Sequence, residues 1–438
     1  MLEIPANYVT ICQRGKARGE IKMKKILILS VTAGNGHNAC AKSMKRKLEA
    51  LESDVEVKIV DLLKEYSTKM KFWVADSGYS LAVSKLLPIF NYFYNVYKKK
   101  DPNKRYSCSA QGAAVSTVEG LLKEILDFQP DVIYCTHFYA GIALTDLKLV
   151  YDLPCKTVIS NLDYVNSPFW EASVGVDYFA IPNEDFIAEC IEEGYKEEQL
   201  LCFGLPVDER TLDTIDKAVA RAELGLDNDT FTIMVMFGGG QWSGGLKIFK
   251  NLIKALGERK AQVIMINGRN KAGYDKIEKM KFPDNIKVVN VGFTDKVPLY
   301  LSAADVIINK FGGTSVTEML NQGLPMLITE KTPAQEKYNL VYMKEKGVAL
   351  SFKNKKELKE GIIKLMDNPD LRMEMSQKAL SMKRRGIETL AKFMLDLPNA
   401  DYSKILNDKI DLTNVKKTVK KALKKADKTE KKKGKEKN

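Results

Sequence analysis

A glycine pair between an apolar run and a candidate helix is the first feature that could do chemistry. Val306 to Ile308 is typical of a buried parallel strand, and Gly312-Gly313 permits a tight turn that a ligand can approach closely. Thr314 or Ser315 could cap a following helix that carries Glu318 in its first turns. Backbone N–H groups at a helix start bind phosphate well. An ordinary strand-to-helix turn, with Glu318 complementing the helix dipole, fits the same residues equally well.

A second glycine-rich turn places a histidine at a candidate helix start. Ala33-Gly-Asn-Gly-His37 follows the apolar run Met23 to Ser30 and precedes Asn38 to Leu51, which has helical apolar spacing. The turn lacks the GxGxxG pattern, so a dinucleotide site is poorly supported. A helix dipole at this position would lower the pKa of His37 and favour a neutral imidazole that accepts a proton. The alternative is a histidine that only caps its helix.

Apolar runs that alternate with helical stretches predict two α/β sets. The first set has six predicted strands: Met23 to Ser30, Val55 to Val60, Asp131 to Cys135, Thr157 to Ser160, Asp177 to Ile181 and Leu200 to Phe203. The second set has five: Thr232 to Phe237, Val263 to Asn267, Ile286 to Val289, Val306 to Ile308 and Pro325 to Thr329. Glycine turns at matching places in both sets predict two similar doubly wound domains that face a cleft.

These two sets divide the chain into predicted segments. They are an N-terminal extension (1–22), a first domain (23–205), a second domain (206–385), terminal helices that pack back across the domains (386–413) and a lysine-rich tail (414–438). Gly204 to Asp208 is the predicted crossing between the domains. His137 and Asp163 follow strands of the first set, where open α/β sheets place their ligands.

The composition is that of a globular protein of the cytoplasm. The chain has 438 residues, of which 45% are apolar, with seven cysteines and two histidines. The cysteines form no CxxC pair, so neither a zinc cluster nor a disulfide framework is expected. No secretory signal peptide opens the sequence, and no run of about 18 apolar residues could span a bilayer. We therefore expect a cytoplasmic protein that is soluble or peripheral to the inner face of the cell membrane.

Most of the net charge of +13 lies in the C-terminal tail. Residues 414–438 hold twelve lysines and three acidic residues, a balance of +9, which leaves +4 for the rest of the chain. Val415, Val419 and Leu423 have the spacing i, i+4, i+8, which predicts an amphipathic helix lying on anionic lipid. A disordered, solvated lysine tail is the alternative.

Residues 66–106 mix aromatic side chains with lysines. Phe72, Trp73, Tyr92 and Phe93 are among the aromatic residues. Such a mixture suits the headgroup boundary of an anionic bilayer, where rings are half buried and lysines stay in water. Two core helices with solvated lysine ends would give the same composition. Stacking on single-stranded nucleic acid is a third alternative, but no RNA-binding motif accompanies it, so no nucleic-acid partner is expected.

Five motifs occur in an order that resembles one enzyme family. They are Gly34-Asn-Gly-His37, Leu162-Asp-Tyr-Val-Asn-Ser-Pro-Phe-Trp170, Phe237-Gly-Gly-Gly240, Asn309-Lys-Phe-Gly-Gly313 with Glu318, and Pro333-Ala-Gln-Glu336. The chain thereby resembles the diacylglycerol glycosyltransferases: bacterial processive glucosyltransferases and plant monogalactosyldiacylglycerol synthases, relatives of the peptidoglycan enzyme that adds N-acetylglucosamine to lipid I. The likeness covers roughly residues 23–395. It departs from the family at Phe311, where proline is usual, and at Ser167, where histidine is common.

The resemblance implies a glycosyltransferase B fold, an α/β fold of two Rossmann-like domains. The acceptor would bind the N-terminal domain and a UDP-sugar the C-terminal one. Carried over by position, the implied donor contacts are Gly292 and Phe293 at the uracil, Glu318 at the ribose, Gly239, Gly240, Lys310, Gly312, Gly313 and Thr314 at the diphosphate, and Gln335 and Glu336 at the sugar. The implied acceptor and membrane contacts are Asn35, Gly36, Phe72, Trp73, Tyr92, Phe93 and Trp170.

The implied reaction is inverting transfer of a hexose from a UDP-sugar to a membrane lipid, with diacylglycerol the preferred acceptor. UDP-sugar is a substrate, so no cofactor is expected. Metal independence is also expected, because a helix N-terminus and Lys310 can stabilise the charge of departing UDP. A base must take the acceptor proton; His37 is the first candidate, Asp163 the second and His137 the third.

Other functions fit parts of the same sequence. On the same fold, the acceptor could be another lipid-linked or soluble glycan, and a UDP-sugar epimerase shares the architecture. The chain could also bind nucleotide-sugar or lipid without turnover, or bind nucleic acid through its tail. The donor sugar stays open between glucose, galactose and N-acetylglucosamine.

Overall fold

Two parallel β-sheets organise the protein. The computed structural model describes residues 23–32, 35–67, 86–99, 109–237, 244–408 and 410–436. In this part of the chain twelve strands form two six-stranded sheets, and all strand pairs are parallel. Parallel strands are covered by helices on both faces, which explains why the strand sequences are short apolar runs. The predicted pair of doubly wound α/β domains is confirmed.

The first sheet comes from the N-terminal half. Its strands are β1 (Lys24–Ser30), β2 (Val55–Asp61), β3 (Val132–Cys135), β4 (Lys156–Ser160), β5 (Tyr178–Ala180) and β6 (Leu200–Leu201). They lie in the order β2-β1-β3-β4-β5-β6. The register aligns Cys135 with both Leu29 and Ile159. The loops after β1, β3 and β4 therefore leave the sheet together at its carboxyl edge.

The second sheet repeats this arrangement in the C-terminal half. Its strands are β7 (Thr232–Met236), β8 (Ala261–Ile266), β9 (Ile286–Val291), β10 (Val306–Asn309), β11 (Met326–Thr329) and β12 (Ala349–Phe352). Their order is β12-β11-β10-β7-β8-β9. β12 is missing from the sequence prediction. It is an edge strand of four residues with Leu350 and Ser351 only partly buried, so its apolar run is too short to stand out.

Helices connect the strands and continue beyond the second sheet. They are α1 (Asn35–Leu51), α2 (Leu62–Tyr66), α3 (Leu87–Lys98), α4 (Ser109–Val115), α5 (Val118–Phe128), α6 (Phe138–Lys148), α7 (Ile187–Glu192), α8 (Lys217–Glu223), α9 (Gly245–Leu256), α10 (Lys271–Glu278), α11 (Val297–Ala303), α12 (Gly313–Asn321), α13 (Ala334–Glu345), α14 (Lys355–Asp367), α15 (Pro369–Ser381), α16 (Gly386–Asp396), α17 (Ser403–Asn407) and α18 (Val415–Glu436). Among the described residues, none of these helices has both the length and the apolar character needed to cross a bilayer.

After the second sheet the chain returns to the first domain. α16 packs against α1, with Leu390 fully buried between them. The Lys24 ammonium donates to the carbonyl of Leu397. The backbone N–H of Ala400 donates to Asp131 at 2.8 Å. These contacts join the C-terminal segment to the amino ends of β1 and β3.

The tail segment forms a helix whose apolar stripe is covered by protein. Val415 and Val419 are both 0% exposed, and Leu423 packs against the same core of the first domain. α18 contacts α4, α5 and α6. The expectation that this stripe lies on lipid is therefore wrong. The spacing of the apolar residues correctly predicts the apolar stripe. The surface that covers this stripe is the first domain and not a membrane.

Candidate active site

Two helix N-termini face each other where the carboxyl edges of the sheets meet. A Cβ atom placed on Gly36, in the first turn of α1, would lie 3.3 Å from Thr314 Oγ1 in the first turn of α12. A Cβ atom on Gly313 would lie 2.0 Å from the carbonyl oxygen of Leu162. Only glycine leaves room for this approach of the two domains. The glycine turns predicted as ligand contacts thus lie on opposite walls of one cleft.

α12 begins earlier than the sequence suggested. Its N-cap is Gly312, and Gly313 is the first helical residue, so the expected capping role of Thr314 or Ser315 is wrong. Both lie inside the first turn, whose N–H groups have no partners within the helix. The Gly313 N–H donates to Asp163 Oδ1 at 3.2 Å. The next N–H groups of this turn are those of Thr314 and Ser315, and N–H groups at a helix start bind anions well.

His37 lies in the first turn of α1 with a defined tautomer. Its Nδ1 is hydrogen-bonded to the backbone carbonyl of Thr136. A carbonyl can only accept, so Nδ1 carries the proton and Nε2 keeps a lone pair. Burial lowers the pKa of His37 to about 4, against the opposing effect of the Thr136 hydrogen bond. The ring is therefore a neutral imidazole with an acceptor nitrogen, which is the form a general base requires.

His137 lies beside His37 but has the opposite tautomer. The two ring centroids are 4.6 Å apart in an edge-on arrangement. His137 caps α6, and its Nδ1 accepts from the N–H of Tyr139 at 3.2 Å. Burial and the neighbouring His37 hold the pKa of His137 well below its usual value, so the ring is neutral and its proton is on Nε2. His137 Nε2 is therefore a donor, whereas His37 Nε2 is an acceptor.

Asp163, the second candidate base, joins the two domains. Its Oδ1 accepts from Asn339 Nδ2 at 2.7 Å as well as from Gly313. Asp163 is partly buried, and desolvation of its carboxyl raises its pKa to about 6 although the Asn339 hydrogen bond opposes the shift. These hydrogen bonds hold the start of α12 and Asn339 of α13 against the loop after β4. His37 is the better placed of the two candidates to take a proton from an acceptor.

Lys310 and Glu336 form an ion pair beside the α12 N-terminus. Lys310 Nζ lies 2.7 Å from Glu336 Oε1, and a Cβ atom on Gly312 would lie 3.8 Å from the same oxygen. Glu336 Oε2 is buried and has no hydrogen-bond partner among the residues that the structure describes. A buried carboxylate oxygen without a partner is costly, so this atom fits a ligand hydroxyl. Gln335 lies beside it in the first turn of α13.

Glu318 lies where α12 meets the crossing between the domains. Burial, assisted by the charge of Asp208, raises the pKa of Glu318 to about 7, and Arg210 opposes the shift. Arg210 Nη2 lies 2.7 Å from Asp208 Oδ2, and Arg46 of α1 lies 2.9 Å from the same oxygen. In the sequence, Asp208 only ends the predicted crossing, and no motif marks Arg210. Asp208 and Arg210 are far from Glu318 in the sequence, and the fold brings their charges close to it.

The loop after β9 carries Gly292 and Phe293, the two residues that are predicted to contact uracil. Phe293 is 67% exposed, and the guanidinium carbon of Arg269 lies 5.4 Å from its ring centroid. Arg210 Nη1 donates to the carbonyl of Asp295 in the same loop at 3.3 Å. Gly292 precedes this exposed ring, and a Cβ atom placed on Gly292 would lie 4.0 Å from Tyr274 Cδ2. Arg269 was not predicted, because it follows β8 without a motif of its own.

α3 carries the described part of the aromatic segment and presents two different faces. Tyr92 and Phe93 are 66% and 56% exposed, next to exposed Ile89. On the other side, Asn91 Nδ2 donates to the carbonyl of Thr332 at 3.2 Å, close to the loop that leads to α13. The exposed aromatic face is where a membrane contact was predicted.

The polar face of α3 also contacts the first domain. The Tyr94 hydroxyl donates to Ser167 Oγ at 2.9 Å. Ser167, which departs from the histidine common in the family that the sequence resembles, therefore contacts α3.

Trp170 differs from the expectation. It is 4% exposed in a short 3₁₀ helix and packs edge-on against Phe138. A side chain buried in the core offers no surface to a membrane, in contrast to the predicted role.

Several predicted site residues cannot be placed. Phe72, Trp73, Gly239 and Gly240 lie outside the described residues, as does Gly34 of the first glycine turn. Asn35 begins α1, and only its backbone is described. The described site therefore comprises His37 and its neighbours on one wall, and α12, α13 and the loop after β9 on the other.

Comparison with known proteins agrees with this arrangement. Residues 37–207 match the monogalactosyldiacylglycerol (MGDG) synthase family, and residues 233–390 match the glycosyltransferase family 28 C-terminal domain. The processive diacylglycerol beta-glucosyltransferase of Staphylococcus epidermidis is 27% identical over 400 residues, covering 87% of this chain and 96% of that protein. The chloroplastic MGDG synthase of Spinacia oleracea is 26% identical over 377 residues, covering 82% and 70%. The predicted resemblance is confirmed.

Solved structures share the architecture. MurG of Acinetobacter baumannii superposes with a TM-score of 0.57 at 13% identity, covering 85% of this chain and 99% of that one. UGT71G1 of Medicago truncatula, solved in complex with UDP-glucose, gives a TM-score of 0.55 at 13% identity, covering 86% and 98%. At such identities the likeness establishes the fold alone. The predicted glycosyltransferase B fold is confirmed.

Proposed function

This chain is a glycosyltransferase related to the MGDG synthases and diacylglycerol glucosyltransferases, and we propose that it moves a hexose from a UDP-sugar to diacylglycerol. One observation carries the proposal. The neutral, acceptor-bearing imidazole of His37 and the α12 N-terminus lie on facing walls, with Gly36 against Thr314. A base for an alcohol and an anion site for a diphosphate are thereby within reach of one bound sugar.

The donor would bind the C-terminal wall. The diphosphate takes the free N–H groups of the α12 first turn, where the helix dipole favours negative charge. Glu318 accepts hydrogen bonds from the ribose hydroxyls, and the loop of Gly292 and Phe293 contacts the uracil. The unpartnered oxygen of Glu336 accepts from a sugar hydroxyl. These assignments support a UDP-hexose as donor and leave the sugar to be determined by experiment.

The acceptor hydroxyl would attack from the N-terminal wall. Its oxygen forms a bond to the anomeric carbon while the bond from that carbon to the β-phosphate oxygen breaks, and UDP leaves with the electron pair. The proton of the hydroxyl passes to His37 Nε2. Attack from the side opposite the leaving group inverts the anomeric configuration. We include inversion in the proposal because the base and the phosphate site lie on opposite walls.

Charge stabilisation of UDP would come from the protein itself. The N–H groups of the α12 first turn and the Lys310 ammonium are close to the place where negative charge develops. Fixed donors of this kind are worth about 10²–10³-fold in rate each. We therefore propose that the reaction needs neither a metal ion nor a cofactor. Retention of full activity in excess chelator is the expected result, and rescue by Mg²⁺ or Mn²⁺ after chelation would contradict it.

We also propose that α3 brings the site to the membrane that holds the acceptor. Its exposed residues Ile89, Tyr92 and Phe93 form an apolar face with amphipathic rings, which suits the lipid headgroup boundary. The polar face of the same helix lies over the loop before α13. A lipid hydroxyl at the membrane surface would thus meet the donor sugar. Peripheral attachment to the inner face of the cell membrane follows from this proposal.

The deciding experiment is a donor and acceptor screen with purified full-length protein. UDP-glucose, UDP-galactose and UDP-N-acetylglucosamine would each be incubated with dispersed diacylglycerol, and the glycolipid product identified by mass spectrometry and its anomeric configuration by NMR. A β-linked product from an α-linked donor is expected. Binding of UDP without turnover on any lipid would overturn the transferase proposal for diacylglycerol and indicate another acceptor or a binding function.

A further inference from the structure

α18 presents a lysine face to solvent because its apolar residues are used elsewhere. Val415 and Val419 are buried against α4, α5 and α6. Lys417, Lys420, Lys421 and Lys424 are exposed. Covering the valines fixes the helix on the domain surface, so the exposed lysines have a constant orientation relative to the active site. The backbone that carries these lysine charges is therefore held in a fixed position on the first domain.

The direction of α18 follows from its neighbours. It starts near the amino edge of the first sheet. Asp411, four residues before α18, acts by its charge on Tyr151, which lies between the end of α6 and the start of β4. α18 also contacts α4, which precedes α5 and lies at the opposite end of that helix. α18 therefore runs from the amino edge towards the carboxyl edge, where the active site lies.

The length of α18 carries it past the domain. It has 22 residues, and α5 beside it has 11. At about 1.5 Å per residue the two helices span about 33 Å and about 16 Å. The second half of α18 therefore extends beyond α5 on the active-site side of the molecule. In sequence this half is the most basic part of the chain, with Lys428, Lys431, Lys432, Lys433 and Lys435.

The apolar face of α3 lies at the same edge of the first domain. Tyr97 of α3 is 5.7 Å from Phe169, and Phe169 is 5.6 Å from Phe138 at the start of α6, measured between ring centroids. α6 packs on α4, and α4 contacts α18. A continuous set of contacts thus links α3 to α18. The helix with the exposed apolar face and the helix with the lysine face are therefore connected through α4 and α6 of the first domain.

We propose that α18 is an electrostatic docking helix that binds the headgroups of an anionic phospholipid bilayer while α3 enters the headgroup boundary. Clustered lysines are attracted to anionic lipid within a Debye length of the surface. The neighbouring apolar face favours a bilayer over nucleic acid as the partner. A bilayer can bury the exposed side chains of Ile89 and Phe93, whereas the charged backbone of a nucleic acid cannot. The proposal rests on the proposed function only in taking a membrane lipid as the acceptor.

The test compares two variants of the full-length protein with equal loss of charge. One carries Lys417→Gln, Lys420→Gln, Lys421→Gln and Lys424→Gln. The matched control carries Lys254→Gln, Lys276→Gln, Lys279→Gln and Lys359→Gln, four exposed lysines of the C-terminal domain. Co-sedimentation uses vesicles of phosphatidylcholine alone and of equimolar phosphatidylcholine and phosphatidylglycerol. Circular dichroism verifies that both variants keep the helix content of the wild type.

We expect the α18 variant to bind the anionic vesicles at least about tenfold more weakly than the wild type, and the control to bind like the wild type. Equal binding by wild type and α18 variant, or equal losses in both variants, would overturn the proposal. So would loss of binding to single-stranded RNA without loss of vesicle binding. Transfer to detergent-dispersed diacylglycerol should be the same in all three proteins. Absence of turnover in all three would overturn the proposed function and leave the vesicle result standing.

Discussion

The two walls of the cleft use opposite kinds of chemical group. The N-terminal wall presents neutral imidazoles kept uncharged by burial, with aromatic side chains around them. The C-terminal wall presents backbone N–H groups, the Lys310 ammonium and the carboxylates of Glu318 and Glu336. An apolar alcohol matches the first wall, and an anionic, hydroxyl-rich nucleotide sugar matches the second. This difference in chemistry supports the proposal that the acceptor binds the first domain and the donor binds the second.

The contrast also extends to how each wall is built. The C-terminal wall depends on backbone geometry, with glycine at the start of α12. The N-terminal wall depends on the hydrogen bonds that fix two adjacent rings in opposite tautomers, through Thr136 for His37 and through Tyr139 for His137. Side-chain changes should therefore damage catalysis on the first wall and donor binding on the second.

The largest expected effect is that of His37→Ala. It removes the acceptor nitrogen, and we expect kcat to fall by about 10²–10⁴-fold, the usual contribution of a general base. The KM for the UDP-sugar should change little, because the donor wall is intact. Steady-state kinetics with dispersed diacylglycerol would measure both constants, with UDP affinity by calorimetry as the control. A weaker UDP affinity with unchanged kcat would reverse the roles of the two walls.

Gly313→Ala should have the next largest effect. The added Cβ would lie 2.0 Å from the Leu162 carbonyl, so the walls must separate. Misplacement by about 1 Å costs about 10²-fold in rate, and we expect a loss of that order in kcat/KM. Gly312→Ala is the matched control, because its Cβ would be 3.8 Å from the nearest atom, which belongs to Glu336. Similar losses in both variants would argue against close approach at Gly313 as the cause.

Glu318→Gln should weaken donor binding by about tenfold. The substitution exchanges a carboxylate for a neutral acceptor, and hydrogen bonds to charged groups contribute about 1.5–3 kcal/mol each. UDP affinity measured by calorimetry should fall accordingly, with kcat at saturating donor nearly unchanged. Glu336→Gln is the comparison: it should leave UDP affinity unchanged and weaken only the intact UDP-hexose. Reduced UDP affinity in Glu336→Gln would place that carboxylate at the nucleotide instead of the sugar.

The backbone turn of the C-terminal wall could be predicted from the sequence better than the burial of side chains in the N-terminal domain, for a physical reason. A tight turn between a strand and a helix requires glycine for local backbone reasons, so Gly312 and Gly313 allow this turn to be predicted from the sequence. The same holds for the apolar runs that form the strands. Whether a ring is buried depends on distant segments. Trp170 is predicted among the acceptor and membrane contacts and lies in the core, and no residue near it in the sequence indicates that burial.

Two further features depend on contacts that no local pattern encodes. The stripe of Val415 and Val419 was predicted correctly as apolar and helical, but α4, α5 and α6 cover it instead of lipid. Arg210 comes close to Glu318 only because the crossing between the domains runs past α12. Periodicity shows which side of a helix is apolar, and the tertiary fold decides what covers that side.

The smallest expected effect is a pH dependence that differs between kcat, which reports on the N-terminal wall, and the donor KM, which reports on the C-terminal wall. Burial lowers the pKa of His37 to about 4 and raises that of Glu318 to about 7. At any pH well above 4 the imidazole is neutral, so kcat should stay constant between pH 8 and about 5.5 and fall only towards the pKa of His37. Glu318 loses its charge as the pH falls through 7, so the KM for the donor should rise a few-fold between pH 8 and about 6.

Glu318→Gln is the matched variant for this experiment, since it cannot titrate. Its donor KM should be independent of pH over the same range, while its kcat profile stays that of the wild type. A kcat that falls with an apparent pKa near the ordinary value for histidine would mean that water reaches His37 in the enzyme–substrate complex. In that case the N-terminal wall would not be the dry, uncharged surface that distinguishes it from the donor wall, and the contrast between the two edges would fail.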